Sequence, residues 1–114
     1  MNELQEAIKE LKDEFKFELS LEPKDELILY MVFEDGRQYT LQHPGTLTAV
    51  KLIYSQGVEA CFEFFIKNCI RVREGVSDNK AKNITPENLE IHEAFDLWYP
   101  LAWRFLRFRE KCAF

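Results

Sequence analysis

Two thiols and two imidazoles are the residues of this chain best suited to covalent chemistry. Cys61 or Cys69 beside His43 or His92 would form a thiol–imidazole couple, in which the ring takes the proton from a nucleophilic sulfur. Both cysteines sit in apolar stretches, however, where a buried and inert thiol is the ordinary outcome. On one helix their sulfurs would stand about 12 Å apart along its axis, beyond disulfide reach. The spacings of His43, His92 and the three cysteines match none that zinc usually takes. Phosphate-binding Gly-rich loops, G-x-S-x-G elbows and C-x-x-C pairs are absent from the sequence. The expectation is a protein with no catalytic residues, no metal and no cofactor.

Two charged groups invite a functional reading. Glu90, Glu93 and Asp96 recur three residues apart and resemble a paired-carboxylate site, although a solvated acidic helix face accounts for them more simply. Arg104, Arg107 and Lys111 lie among Trp103, Phe105 and Phe108. That mixture is found in nucleic-acid binders and in helices lying at a membrane surface. Cations in the last turns of a helix also complement its dipole, and arginine stems pack on aromatic surface. A small regulator binding nucleic acid through Arg104, Arg107 and Lys111 is the alternative reading, and a cysteine-dependent enzyme is a more distant one.

The segment that carries those residues is the most distinctive of the chain. Plotted at 100° per residue, residues 94–108 put Asp96, Arg104 and Arg107 on one narrow stripe, while ten apolar side chains surround the axis over roughly two-thirds of the circle. Such a helix needs cover on several sides. Trp103 falls near the polar stripe and almost opposite Leu101, so one wall is not expected to bury both.

The remaining elements follow from periodicity. Leu4, Ala7, Ile8 and Leu11 mark a short amphipathic helix within residues 1–13, acidic and expected to be peripheral. Phe17, Leu19 and Leu21 alternate with polar residues as a half-buried strand. A second run reaches Asp35-Gly36, the preferred dipeptide of two-residue hairpins. Closing the hairpin there pairs Val32 with Tyr39 and Tyr30 with Leu41. Thr46 is the expected N-cap of a helix carrying Leu47, Val50, Ile53 and Tyr54, which Gly57 ends. Another helix spans 58–69, residues 75–83 read as a mobile loop, and Thr85-Pro86-Glu87 with Ile84 and Leu89 reads as the start of the last helix. Continued to residue 110, that helix is long and is expected to kink at Pro100. The fold class is therefore α+β: one domain over residues 1–114, a three-stranded antiparallel sheet at about 15–42, and three helices at about 46–56, 58–69 and 86–110.

Composition narrows the function classes. Ten phenylalanines, four tyrosines and two tryptophans in 114 residues exceed what so small a core holds. The net charge of −5 is concentrated in residues 1–35, which carry eleven acids and four bases, and this argues against nucleic acid as a general partner. Neither a secretory h-region nor an apolar run of about 18 residues appears. With an odd number of cysteines and no disulfide framework, the expected location is cytoplasmic, with no membrane partner. Surplus aromatic surface marks interaction sites.

From Leu47 to Leu106 the chain resembles the small tail assembly chaperones of long-tailed bacteriophages and prophages. The resemblance rests on His43-Pro44-Gly45-Thr46 leading into a helix, on the apolar run 58–67 leading into Asn68-Cys69-Ile70, on a polar loop and on a final aromatic-rich helix. It implies a non-enzymatic protein that keeps a tape-measure protein soluble while tail subunits assemble, located in the bacterial host cytoplasm. Under this reading the expected protein-binding residues are Phe62, Phe65, Trp98, Leu101, Trp103, Phe105 and Phe108. They would contact a tape-measure or tail protein, another apolar segment, or further copies of the chain in a homo-oligomer.

Overall fold

A computed structural model describes residues 3–76, 81–85 and 87–107. Strands β1 (Phe17–Glu22), β2 (Asp25–Phe33) and β3 (Gln38–Gln42) form the expected antiparallel meander. A short strand, β4 (Ile70–Val72), pairs antiparallel with β3 and makes the sheet four-stranded, in the order β1-β2-β3-β4. The expected three strands thus become four. After a long helical excursion the chain returns to set Ile70 opposite Leu41 and Val72 opposite Tyr39.

The turn between β2 and β3 differs from expectation by one residue. The Phe33 N–H donates to the Arg37 carbonyl at 2.9 Å and the Gly36 N–H to the Phe33 carbonyl at 3.1 Å. Residues 34–36 therefore form a three-residue loop, with Gly36 at φ +102°. A slip of one residue reverses every side chain. Met31 now pairs with Tyr39 and Leu29 with Leu41, in place of Val32 with Tyr39 and Tyr30 with Leu41. The observed register gathers Leu29, Met31, Phe33, Tyr39 and Leu41, with Phe17 and Leu19, into one buried face. The expected register would have split these residues between two faces.

Helices cover that face. Helix α1 (Glu3–Phe15) places Ile8 in the core, with Leu11 and Phe15 against it, so this segment is docked. Helix α2 (Thr46–Ser55) begins after Gly45, which takes the N-cap position expected for Thr46. Helix α3 (Gly57–Phe64) widens into a π-helical turn, Phe65–Cys69, that turns Phe65, Ile66 and Cys69 inward. The Asn68 side chain donates to the Phe64 carbonyl at 3.3 Å at this widened end.

The last helix starts later than expected. Asn83, Thr85 and Asn88 bond one another in a turn: the Thr85 N–H donates to Asn88 Oδ1 and Asn88 Nδ2 to the Asn83 carbonyl. Short polar side chains compete with a helix for its backbone in this way. Glu90 is the true N-cap, its carboxylate accepting from the N–H groups of His92 and Glu93. Its pKa is lowered by the Glu93 and then the His92 backbone bond. From there run α4 (Ile91–Glu93), a π-helical turn (Ala94–Trp98) and α5 (Tyr99–Arg107). This span is about 25 Å long and fits a domain measuring 39 × 32 × 26 Å.

Pro100 falls just after the π turn, for a steric reason. A proline lacks the N–H that would bond four residues back, and its ring presses on that carbonyl. The wider turn, in which the Tyr99 N–H reaches back to the Ala94 carbonyl, accommodates both. Pro86, Phe108, Lys111 and residues 77–80 of the expected 75–83 loop lie outside the described residues.

Trp98 is the centre of the core. It is 1% exposed, its ring 5.8 Å from Tyr39 and 6.2 Å from Phe33 in edge-on geometry. A buried histidine ties the far end of α5 to the sheet. His43 Nδ1 accepts the Gly45 N–H at 2.9 Å, which leaves Nε2 carrying the proton toward the Leu106 carbonyl at 3.1 Å.

Two stability predictions follow from these contacts. A Cβ at Gly36 would meet nothing within 4 Å, so Gly36→Val is penalised by backbone conformation alone. The expected cost is about 1–3 kcal/mol, read as a melting temperature about 5–15 °C lower; an unchanged value would contradict the observed turn. His43→Ala removes the partner of both the Gly45 N–H and the Leu106 carbonyl, and is expected to lower unfolding free energy by about 2–4 kcal/mol in urea titration.

Candidate functional site

The apolar residues of the C-terminal helix divide into two sets. Leu97, Trp98, Leu101, Ala102, Phe105 and Leu106 are buried against the sheet and the other helices. Phe105 meets Phe65 at 5.7 Å between ring centroids and His43 at 5.3 Å. Among the expected binding residues, Phe65, Trp98, Leu101 and Phe105 thus belong to the interior and offer no surface. They are where they are because the correct sheet register supplies a continuous apolar wall for them. Phe62 and Trp103 are partly buried, and Leu101 and Trp103 do differ in burial as their angular separation requires.

The second set forms the candidate site. Ile91, Phe95, Tyr99 and Trp103 recur every four residues, the spacing of neighbours along one side of a helix. Ile91 is 73% and Phe95 74% exposed. Tyr99 and Trp103 are half-buried, with Phe62 alongside Tyr99 at 5.4 Å and the Arg107 guanidinium 5.3 Å from the Trp103 ring. The result is an aromatic ridge along the outer side of α4 and α5. A second apolar strip lies on α2, where Leu47, Val50 and Tyr54 face outward while Ala49 and Leu52 are buried. Phe95 and Tyr99 are not among the expected binding residues, although their four-residue spacing with Trp103 is visible in the sequence.

The charged candidates are engaged within the fold. Glu93 and Arg37 form a two-pronged ion pair, Nη1–Oε1 and Nη2–Oε2 both 3.1 Å. The same guanidinium lies 4.1 Å above the Phe33 ring and bonds Asp35. Burial works against the Arg37 charge, yet the Glu93 bonds outweigh it and hold the pKa above the ordinary value. Asp96 pairs with His92 at 2.7 Å. Glu90, Glu93 and Asp96 consequently perform three separate structural tasks. Arg104 donates to the Pro100 carbonyl at 3.1 Å on its own helix. A cleft of about 400 Å³ opens beside the Arg37–Glu93 pair, lined also by Tyr39, Lys82, Leu89 and Trp98.

The thiols occupy unreactive settings. Cys61 and Cys69 are buried, and burial pushes both pKa values up, that of Cys69 to about 12. Both ring nitrogens of His43 are engaged, and His92 is exposed beside Asp96. None of the described imidazoles is therefore placed as the base of a thiolate nucleophile. No described helix is long and apolar enough to cross a membrane. Family models, curated proteins and solved structures contain no match to the chain.

The thiol environment predicts an alkaline limb in stability. An unfolded cysteine loses its proton near pH 8.5, whereas folded Cys69 holds its proton to about pH 12. Stability present below the unfolded pKa is therefore lost as pH rises between these values, by up to about 1.4 kcal/mol per pH unit. In a Cys112→Ser background, Cys69→Ala should flatten that decline in urea titrations repeated from pH 8 upward. The same background should react with a disulfide reagent at least about a hundredfold more slowly when native than when unfolded.

Proposed function

We propose that this chain is a non-enzymatic binding protein that holds an apolar segment of a partner protein against the ridge of Ile91, Phe95, Tyr99 and Trp103. The observation that carries the reading is the exposure of Ile91 and Phe95 on a helix whose inner flank is fully packed. Aromatic and arginine side chains in such a setting dominate binding energy when a partner covers them. The catalytic alternative lacks support from the thiols. Of the alternative nucleic-acid cations, Arg104 is turned back onto its own helix.

The particular form of this role is that of a phage-type tail assembly chaperone or adaptor working in the host cytoplasm, with a tape-measure or tail protein as the apolar client. Self-association through the same ridge is the competing occupant. The test has two arms. A tail assembly role requires a very long, helix-rich, apolar-patterned reading frame immediately downstream of the gene, whose product stays soluble when co-expressed with this chain. Ile91→Ser combined with Phe95→Ser should abolish that solubility, lowering yield at least tenfold with little change in melting temperature. Retained solubility would refute the proposed surface. Sedimentation across a concentration series separates the occupants, since a dimer lost in the same double variant would assign the ridge to a second copy.

A further inference from the structure

Glu14, near the end of α1, comes close to His92 and Asp96 on the last helix. One ligand atom from each, an imidazole nitrogen and two carboxylate oxygens, lies within 4.8 Å of the others. His92 and Asp96 are four residues apart, with Nδ1 and Oδ2 at 2.7 Å. The Phe15 ring sits 5.3 Å from the imidazole at 38°. The Glu14 carboxylate has no hydrogen-bond or ion-pair partner among the described residues. Lys12 is paired with Glu18, and Arg37 with Asp35 and Glu93, so neither cation neutralises this group. Two carboxylates thus converge on one imidazole, and the three side chains are open to solvent.

We propose that Glu14, His92 and Asp96 bind a first-row divalent transition ion, for which zinc is the probe, and that the ion staples α1 to the start of the C-terminal helix. The donor set selects the class of ion. Calcium takes six to eight oxygen ligands and magnesium keeps most of its water, whereas one imidazole with carboxylates suits zinc and its neighbours. A tetrahedral zinc ion holds its ligand atoms roughly 3.4 Å apart; the His92–Asp96 pair would open from 2.7 Å and release the proton between them, while Glu14 would move in from within 4.8 Å, adjustments available to exposed side chains. Water completes the shell. The spacings of His43, His92 and the cysteines give no sign of this cluster, because Glu14 lies far from His92 in sequence. The site adjoins the proposed binding ridge on the same helix but uses none of its residues.

The experiment is a zinc titration of tag-free Cys112→Ser protein, followed by calorimetry and by the His92 imidazole signals in NMR. The expected result is saturable one-to-one binding, displacement of the His92 signals and a higher melting temperature, with no response to magnesium. Glu14→Gln and His92→Gln should each weaken zinc binding at least tenfold. Both side chains are exposed, so native circular dichroism is expected in each variant. Absence of saturable binding, or equal affinity in the parent and both variants, would overturn the proposal. The Ile91→Ser, Phe95→Ser double variant should bind zinc normally, which keeps this test separate from that of the ridge.

Discussion

The helical half of this protein rests on a single apolar wall, formed by the odd-numbered residues of β2 and β3. Leu29, Met31, Phe33, Tyr39 and Leu41 can share one face only if an odd residue of β2 is paired with an odd residue of β3. The three-residue turn at 34–36 enforces that parity. Against this wall Trp98 finds its two edge-on partners, and around Trp98 the inner flank of the last helix is ordered. The same turn brings Arg37 to Glu93, so a charged clasp at the rim and an aromatic contact in the interior depend on one register.

Much of this architecture was legible in the sequence. The α+β class, the meander, the helix after Gly45 and the apolar helix ending at Asn68-Cys69 were available from periodicity and from turn residues. The register was not, because Asp35-Gly36 suits a two-residue turn as readily as a longer one, and local chemistry left the choice to packing. The helix start was misplaced for a similar reason. Thr85-Pro86-Glu87 carries a strong capping pattern, but Asn83 and Asn88 form a competing local turn and Glu90 caps the helix instead.

The site shows a sharper division. An apolar helix surface announces that it must be covered, and the count of aromatics suggests that some of it is not. Which residues remain outside depends on the direction from which the sheet approaches, and that direction is a tertiary property. Phe65, Trp98, Leu101 and Phe105 went inward; Phe95, with the same side chain as Phe65 and Phe105, stayed out, and Tyr99 is half-buried. On α2, Ala49 and Leu52 face the core, which leaves Leu47, Val50 and Tyr54 toward solvent.

The π turn at Ala94–Trp98 gives the last helix a property of length as well as shape. Such a turn holds one residue more than an α-helical path between the same two points, so this segment is in effect an insertion retained inside a helix. Loss of one residue there would close the turn to ordinary α-helix between the same two points, leaving the flanks beyond it facing as they do now. Pro100 would then follow an ordinary α-helical turn, in which a proline ring meets the carbonyl four residues back. The extra residue and the proline are thus coupled: a homologous chain that loses the one is expected to lose the other.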